Sequence, residues 1–405
     1  MTVLWNKVPK DERLRDLTLP EPLTPISRED AQHLAELVAL KGLGQVAPNP
    51  LVGAVLVDRQ HRFLAAGAHE RVGQHHAEIN ALTAYDSAKN QVAGVDLRDG
   101  TLYVTLEPCA HQSRTPACAP RVAACGVGHV VYGAVDSNPA VNGRGAALLV
   151  AHHVAVQHDQ HWQPRCTTLA EIFFWNMQKR TPFVGLKAAT SLDGAIAVRG
   201  DQRAWITGPR ARAYGHFLRL YYDAIMIGQR TLMADNPTLD TRDALTSGRS
   251  PWRIVLDPDG SALRSRAPKT WNLLGSSPEK VIWLLGKDAV AARETKALDD
   301  LGIQRRHLDF YPTGSAEFNP VQILAVLAGL GITSVLLEGG AGLYGSFLAA
   351  GLVNRVHLFQ SARLFGGFET VHWTRSAGAL TPAAASATEI TPLDDDWLIE
   401  TRLSP

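Results

Sequence analysis

The stretch QHHAEINAL, residues 74–82, puts His76 and Glu78 two positions apart at the head of a segment with helical apolar spacing. Such a start is either the polar opening of an amphipathic helix or half of a metal site, and further ligands elsewhere decide between them. LEPCAHQSRTPACAP, residues 106–120, supplies Cys109 and Cys118 with eight residues between them. One imidazole and two thiolates make three ligands and leave a fourth position for water, the pattern of a catalytic zinc site rather than a closed structural one. Two thiolates cancel the charge of one zinc ion, which still acidifies its water toward neutral pH. Glu78 can share that site if His76 stands at the helix start. Its role is then to carry protons from the water to a ring nitrogen and a departing amine.

This division of labour is that of zinc nucleobase deaminases, whose second half reads P-C-x-x-C. Here Pro108 and Cys109 are present, but the second cysteine is displaced to 118. With that displacement, PNPLVGAVLV (48–57), HAE (76–78), VTLEPCAHQSRTPAC (104–118) and DSNPAVNGRG (136–145) together resemble the deaminase half of the bifunctional riboflavin-biosynthesis deaminase/reductases. The resemblance implies that Asn49, His69, Arg114, Asp136 and Asn138 contact a phosphoribosyl-pyrimidine substrate. Arg114 is chemically suited to a phosphate. Asn49 between two prolines, and Asp136 and Asn138 before another, are also ordinary turn formers. The family usually has proline before HAE, where this chain has His75. Cys125 reads as a small hydrophobe, and Cys166 has no partner at metal spacing.

The second half offers SVLLEGGAGLYGSFLAAG, residues 334–351: an apolar strand ending at Glu338, a glycine turn, then a helix. A glycine turn into a helix N-terminus binds phosphate through main-chain N–H groups, but it is also common without a ligand. GLKAATSLDGAIA (185–197), WITGPRAR (205–212) and AIMIGQRTLMADNPTLDTR (224–242) resemble the reductase half of the same family, which has a dihydrofolate-reductase-like fold; the match is poor over 243–330. That resemblance implies NADPH contacts at Ala189, Trp205, Thr231, Asp235 and the run Gly340, Ala341, Gly342, Leu343, Tyr344, Gly345, Ser346. It implies substrate contacts at Lys187, Arg219, Leu239, Arg242 and Glu338. Asp193-Gly194 in SLDG reads as a hairpin turn. Arg203 stands where the family often carries a hydroxyl residue before the WIT tryptophan.

The elements that must position these groups alternate between strand and helix patterns, which predicts α/β architecture twice over. An irregular arm over 1–27 precedes a three-layer, cytidine-deaminase-like domain over 28–160. A connector helix follows over 161–180, and a dihydrofolate-reductase-like α/β domain over 181–405. SRED (27–30) reads as a capping box opening the first helix. LVGAVLVD, FLAAGAH, GTLYVTLEPC, HVVYGAVD and VAVQHD read as strands of the first domain. FVGLKAATS, GAIAVR, DAIMIG, RIVLD, KVIWLLG, SVLLEGG and RVHLFQSARL read as strands of the second. AGALTPAAASAT near the end reads as a surface excursion.

With 45% hydrophobic and 20% charged residues and a net charge of +1 over 405 residues, the chain can bury two cores and shows no polybasic surface for nucleic acid or membrane. Four cysteines are too sparse for a disulfide scaffold, no run is apolar enough to span a membrane, and the N-terminal residues lack a signal-peptide core. The expectation is a reduced, cytoplasmic enzyme with one zinc per chain and NADPH, acting on a small molecule. The resemblance adds a homodimer. The rivals are a paralogue acting on another aminopyrimidine, a nucleic-acid base deaminase, and a non-catalytic binding protein.

Overall fold

The computed structural model describes residues 14, 16–88, 92, 94–110, 116–137, 142–198, 205–242, 250–287, 289, 292–308, 318–366, 370–373 and 385–403. The chain divides into two compact units, 1–180 and 181–405. In the first, Ser27 caps α1 (Arg28–Ala39): its oxygen accepts from the Asp30 N–H at 3.0 Å, and its hydroxyl donates to the Asp30 carboxylate at 2.7 Å. The serine half of the expected capping box is there, while the Asp30 carboxylate takes the Ser27 hydroxyl. The following elements are β1 (Gly53–Val57), β2 (Phe63–Ala68), α2 (Ala77–Ser87), β3 (Thr101–Leu106), α3 (Cys118–Ala124), β4 (His129–Ala134), α4 (Arg144–Ala151) and β5 (Ala155–His158). Among the described residues the strands form one sheet in the order β2-β1-β3-β4-β5. β1 is antiparallel to both its neighbours, and β3, β4 and β5 are parallel.

Two glycines show why this is a three-layer domain. A Cβ on Gly53 would lie 2.0 Å from the Ala35 carbonyl of α1, and one on Gly67 would lie 2.2 Å from the Ala81 nitrogen of α2. Ala54 pairs with Gly67 across β1 and β2, so Gly53 and Gly67 face opposite sides of the sheet. The two helices therefore cover opposite faces, each at a distance only glycine permits. The chain before α1 lies along the β2 edge: Leu23 N–H donates to Phe63 O, Phe63 N–H to Thr24 O, and Ile26 N–H to His61 O. That part of the expected irregular arm covers an otherwise open strand edge.

The expected single connector helix over 161–180 is two, α5 (Gln163–Leu169) and α6 (Glu171–Lys179), with a break at Ala170 (φ −106°, ψ 20°). Trp162 and Cys166 are buried in the first unit's core, and the absence of a side chain on Gly133 makes room for the Cys166 sulfur. The segment's apolar face thus serves that core rather than a free connector.

The second unit is built on β6 (Phe183–Thr190), β7 (Ala195–Val198), α7 (Pro209–Leu218), β8 (Ala224–Gly228), α8 (Gln229–Asp235), β9 (Trp252–Asp257), α9 (Ser261–Ser265), β10 (Val281–Gly286), α10 (Ala292–Asp299), β11 (Gln304–Leu308), α11 (Pro320–Gly329), β12 (Ser334–Glu338), α12 (Ala341–Ala349), β13 (Arg355–Ser361), β14 (Thr370–His372), β15 (Ala385–Leu393) and β16 (Asp396–Leu403). Its main sheet runs β11-β10-β9-β8-β12-β6-β13-β16-β15 among the described residues, parallel from β11 to β13 and antiparallel at β16 and β15. The interior parallel strands β8, β9, β10 and β12 are apolar on both sides, because both faces are covered. Ala224, Met226 and Ile254 enter one core, and Ile225, Ile227 and Val255 the other.

Two expectations need correction. AGALTPAAASAT is not wholly an excursion: residues 385–388 begin β15, an edge strand of Ala, Ser and Thr that offers little apolar alternation to read. QRRHL (304–308) was not anticipated as a strand, since β11 is an edge whose charged residues guard its open side. Among the described residues no helix is long and apolar enough to cross a membrane.

Gly67→Ala should lower the thermal midpoint measured by calorimetry, since forcing a methyl into packed backbone costs about 1–3 kcal/mol. Gly329→Ala on α11, where an added Cβ meets nothing within 4 Å, should leave the midpoint unchanged or raise it.

Candidate active sites

In the first unit, β2 and β3 both end at the same region, and each delivers half of a donor set. His76 is the N-cap of α2, with extended backbone (φ −74°, ψ 168°) and no capping hydrogen bond from its side chain. Its ring is thereby left to other partners. Cys118 is the first residue of α3, and its N–H donates to Cys109 Sγ at 3.3 Å. His76 Nδ1 lies 3.2 Å from Cys118 Sγ and 3.7 Å from Cys109 Sγ, and the three ligand atoms lie within 4.8 Å of one another. Ordinary Zn–S and Zn–N bonds in a tetrahedron would set S···N at about 3.6 Å and S···S at about 3.8 Å. The spacing and the chemistry of the donors fit a zinc ion. A hydrogen bond between the sulfurs pulls Cys109 below the usual thiol range and pushes Cys118 above it.

Glu78 sits in the first turn of α2 and is buried (3% exposed). Burial pushes its carboxyl up to about 7, against the pull of His76. His69 is buried at the end of β2, its ring centroid 5.1 Å from that of His76. Its Nδ1 lies 3.1 Å from the His75 carbonyl, which can only accept, so Nδ1 carries the proton. Burial lowers the His69 pKa and favours the neutral ring. Its Nε2 then accepts from Asn49 Nδ2 at 3.1 Å. His75 contributes that carbonyl while its side chain is exposed.

Asp136 is buried two residues beyond β4, whose Ala134 carbonyl accepts from the Glu107 N–H. Arg114 and Asn138 lie outside the described residues, as does Arg203.

Glu107 was not singled out from the sequence, though it stands inside the quoted EPC motif. Its carboxylate accepts from Gly143 N–H at 3.1 Å and Ala146 N–H at 3.3 Å at the start of α4. A Cβ on Gly145 would fall 1.7 Å from the Pro108 carbonyl. Together these contacts pin the Cys109 loop onto α4.

In the second unit, Lys187 on β6, Arg219 after α7 and Glu338 at the end of β12 converge. Arg219 Nε and Nη2 grip both Glu338 oxygens at 2.6 and 2.8 Å. Its Nη1 donates to the Asp240 carbonyl at 2.5 Å and lies 3.2 Å from His216 Nδ1. Burial opposes the Glu338 charge, but Arg219 and then Lys187 overcome it and hold the carboxyl at about 2. Burial lowers Lys187, whose ammonium lies 5.6 Å from the Phe359 ring centre. Burial and then Arg219 and Arg242 bring His216 down to about 4. His216 also went unnoticed in the sequence; its place three residues before Arg219 on one helix face was the available signal.

The segment after α8 carries three left-handed non-glycine residues: Asn236, Leu239 and Arg242 (φ 40°, 54° and 50°). Such strain gathers at functional segments. Leu239 is buried, while Arg242 is exposed and bonds Asp240 and Thr238. Thr231 stands against the glycine turn: a Cβ on Gly339 would lie 2.7 Å from Thr231 Cγ2. Gly339 and Gly340 have φ of 108° and 74°, and Ala341 opens α12, with Gly342, Leu343, Gly345 and Ser346 in its first turns.

Ala189 is half-buried near the end of β6. Trp205 is 66% exposed, with Arg212 stacked 4.5 Å from its ring centre and its carbonyl bonded by Arg363. Asp235 is exposed at the end of α8. Asp193 accepts from Ser191, Phe365 and Gly366, with the Ser191 bond foremost in holding it at about 2. It ties the SLDG turn to the chain after β13.

A family model for the cytidine and deoxycytidylate deaminase zinc-binding region matches residues 27–134, and one for the RibD C-terminal domain matches residues 182–399. The chain is 35% identical over 334 residues to riboflavin biosynthesis protein RibD of Bacillus amyloliquefaciens, covering 82% of this chain and 83% of that one. It is 36% identical over 344 residues to the RibD protein of Actinobacillus pleuropneumoniae, covering 84% and 85%. A crystal structure of a diaminohydroxyphosphoribosylaminopyrimidine deaminase/5-amino-6-(5-phosphoribosylamino)uracil reductase from Thermotoga maritima superposes with a TM-score of 0.74 at 31% identity, over 93% of this chain and 98% of that one. Acinetobacter baumannii RibD gives a TM-score of 0.74 at 29% identity, over 93% and 99%.

Metal analysis of the purified chain should find about one zinc per chain, and Cys118→Ser should lose most of it while keeping the far-UV circular dichroism of the parent. Acid should weaken the Arg219–Glu338 pair. Its folded carboxyl value, about 2, lies below the ordinary 4.5, so the stabilisation is complete above pH 4.5 and drains away as the pH falls toward 2. Urea unfolding across that window should show a shallower decline for Glu338→Gln than for the parent; parallel declines would remove the pair from the account.

Proposed function

Since this chain belongs to the family of bifunctional riboflavin-biosynthesis deaminase/reductases, we propose that its first unit deaminates 2,5-diamino-6-ribosylamino-4(3H)-pyrimidinone 5′-phosphate and its second reduces the ribosyl chain of the product to ribityl. The observation that carries the proposal is the convergence of His76, Cys109 and Cys118 beside a buried Glu78. Those three residues would hold zinc, which when bound supplies the Lewis acidity that makes water nucleophilic at neutral pH. Glu78, buried beside the three ligands, takes a proton from the attacking water and returns protons to the ring nitrogen and the amine. The bond from the ring carbon to its exocyclic amine breaks, ammonia leaves, and a carbonyl remains. Asn49, His69, Arg114, Asp136 and Asn138 are the proposed substrate contacts. Of these, the His69–Asn49 hydrogen bond leaves the Asn49 carbonyl oxygen turned away from His69.

In the second unit NADPH, when bound, supplies the hydride for C1′ of the ring-opened sugar. Ala189, Trp205, Thr231, Asp235 and residues 340–346 are the proposed cradle. The left-handed Gly339–Gly340 turn into α12 supports a phosphate contact through main-chain N–H groups. Lys187, Arg219, Leu239, Arg242 and Glu338 would orient the substrate. The donors of Arg219 are largely committed to Glu338, Asp240 and His216, so exposed Arg242 is the better placed of the two arginines to meet the phosphate. A homodimer belongs to the same proposal.

The test follows ammonia and NADPH together on the purified chain. Glu78→Gln should abolish ammonia release from the diaminopyrimidine yet leave NADPH oxidation intact when the deaminated intermediate is supplied. Equal loss of both activities in a folded variant would argue against separate chemistry in the two units.

A further inference from the structure

Tyr344 enters the reading above only as one residue of the 340–346 run, and the placement of its side chain is not accounted for there. It belongs to the run assigned to the cofactor, yet its ring points inward and is buried. Its hydroxyl oxygen accepts from Gly339 N–H at 2.6 Å, and its O–H donates to the Lys187 carbonyl at 2.6 Å. These groups stand at one level of two paired strands, since Glu338 lies opposite Lys187 where the β12–β6 ladder ends. Beyond that pair the ladder would continue through direct N–H···O=C bonds of about 2.9 Å. A hydroxyl placed between the N–H and the C=O keeps both satisfied while holding the strands apart.

The chain itself explains why a spacer belongs there. From β6 it runs outward through β8, β9, β10 and β11, then returns to insert β12 between β8 and β6 before adding β13 on the other side of β6. Reversals of this kind leave a crevice at the carboxyl ends of the strands, where open α/β sheets bind their ligands. Lys187 and Glu338 stand on its two walls, and the Gly339–Gly340 turn forms its rim. Thr231 blocks the turn from one side, and the Tyr344 hydroxyl holds its first N–H from below.

We infer that Tyr344 is a positioning residue for the reduction: its hydroxyl wedges β12 from β6 and so sets the distance between the phosphate-binding turn and the Lys187–Arg219–Glu338 cluster. The inference rests on the cofactor and substrate assignments proposed above. It requires no contact between Tyr344 and either ligand. It also separates two properties that a purely structural tyrosine would join, the stability of the unit and the alignment of hydride donor with acceptor.

The experiment compares the full chain with Tyr344→Phe, which keeps the ring and removes both hydrogen bonds. NADPH binding, read by quenching of protein fluorescence, should weaken roughly tenfold, the scale expected when a buried N–H and C=O lose their partner. The primary isotope effect with 4-deuterated NADPH should rise as misalignment makes hydride transfer more rate-limiting, while ammonia release stays at the parent rate. Hydrogen exchange at the Gly339 amide should accelerate. A lowered melting temperature with parent NADPH affinity and parent isotope effect would reduce Tyr344 to a structural residue and overturn the inference. If the variant does not fold, the parent chain still decides: a Gly339 amide that exchanges as fast as an open loop carries no such bond, and the wedge is refuted. Failure of the parent to oxidise NADPH with the deaminated intermediate would instead refute the assignment of the site.

Discussion

Two sulfur atoms and an imidazole nitrogen lie within 4.8 Å of one another, and once the thiols ionise their mutual repulsion at that range is relieved by a cation held between them. The first unit is organised around enforcing that proximity. His76 and Cys118 are each placed at the start of a helix, where free N–H groups and the helix dipole favour negative charge nearby. The Cys118 N–H already points at Cys109 Sγ. Cys109 has no helix of its own and is fixed instead by its neighbours: Glu107 on the N–H groups opening α4, and Pro108 against a position that only glycine can fill. The sheet supplies the rest, since β2 and β3 flank β1 and release the two halves at one end.

The second unit solves a different problem with a different device. Lys187, Arg219 and His216 surround a single strand-end carboxylate. Leaving one buried charge unpaired costs about 3–5 kcal/mol. The bidentate Arg219–Glu338 pair meets that cost for two of the groups, and the Asp240 carbonyl absorbs part of what Arg219 has left. With Arg219 paired to Glu338 and Arg242 to Asp240, Lys187 is the cation left over in the cluster, which suits an anionic substrate. His216 adds no further charge: Arg219 must donate to its Nδ1, so the ring is neutral there by geometry as well as by its lowered pKa.

Where side-chain patterns repeat, the fold was legible. Strands such as KVIWLLG and SVLLEGG are apolar on both faces because both faces are buried, and their length and β-branched content identified them. SRED announced its helix through one serine oxygen. Legibility failed at the edges and once inside the sheet, where DWLIETRL, the β16 strand between β13 and β15, was not anticipated. β11 and β15 pair on one side only, carry charged or small polar residues, and show no alternation a reader could use. The break at Ala170 was hidden for another reason: nothing in its sequence forbids a continuous helix, and it is packing of Trp162 and Cys166 into the first core that redirects the chain.

The same contrast separates the two candidate sites. A zinc ion accepts few residue types, so His76, Cys109 and Cys118 declared themselves by type and spacing, and Glu78 by its place beside them. A phosphate cradle made of main-chain N–H groups would accept almost any side chain, so Gly342 and Leu343, proposed for such a cradle, carry no mark of their own and were reached only through family resemblance. What the glycines do encode is conformation. Gly339 and Gly340 adopt positive φ that other residues take with strain, and that constraint was visible as a glycine turn. Groups that act through others were invisible altogether. Nothing in GGAGLYGS distinguishes a tyrosine facing solvent from one whose hydroxyl replaces a rung of the sheet, because the partner N–H and C=O belong to the backbone and leave no residue type to read. Positioning of this kind becomes visible only once the backbone is counted donor by donor.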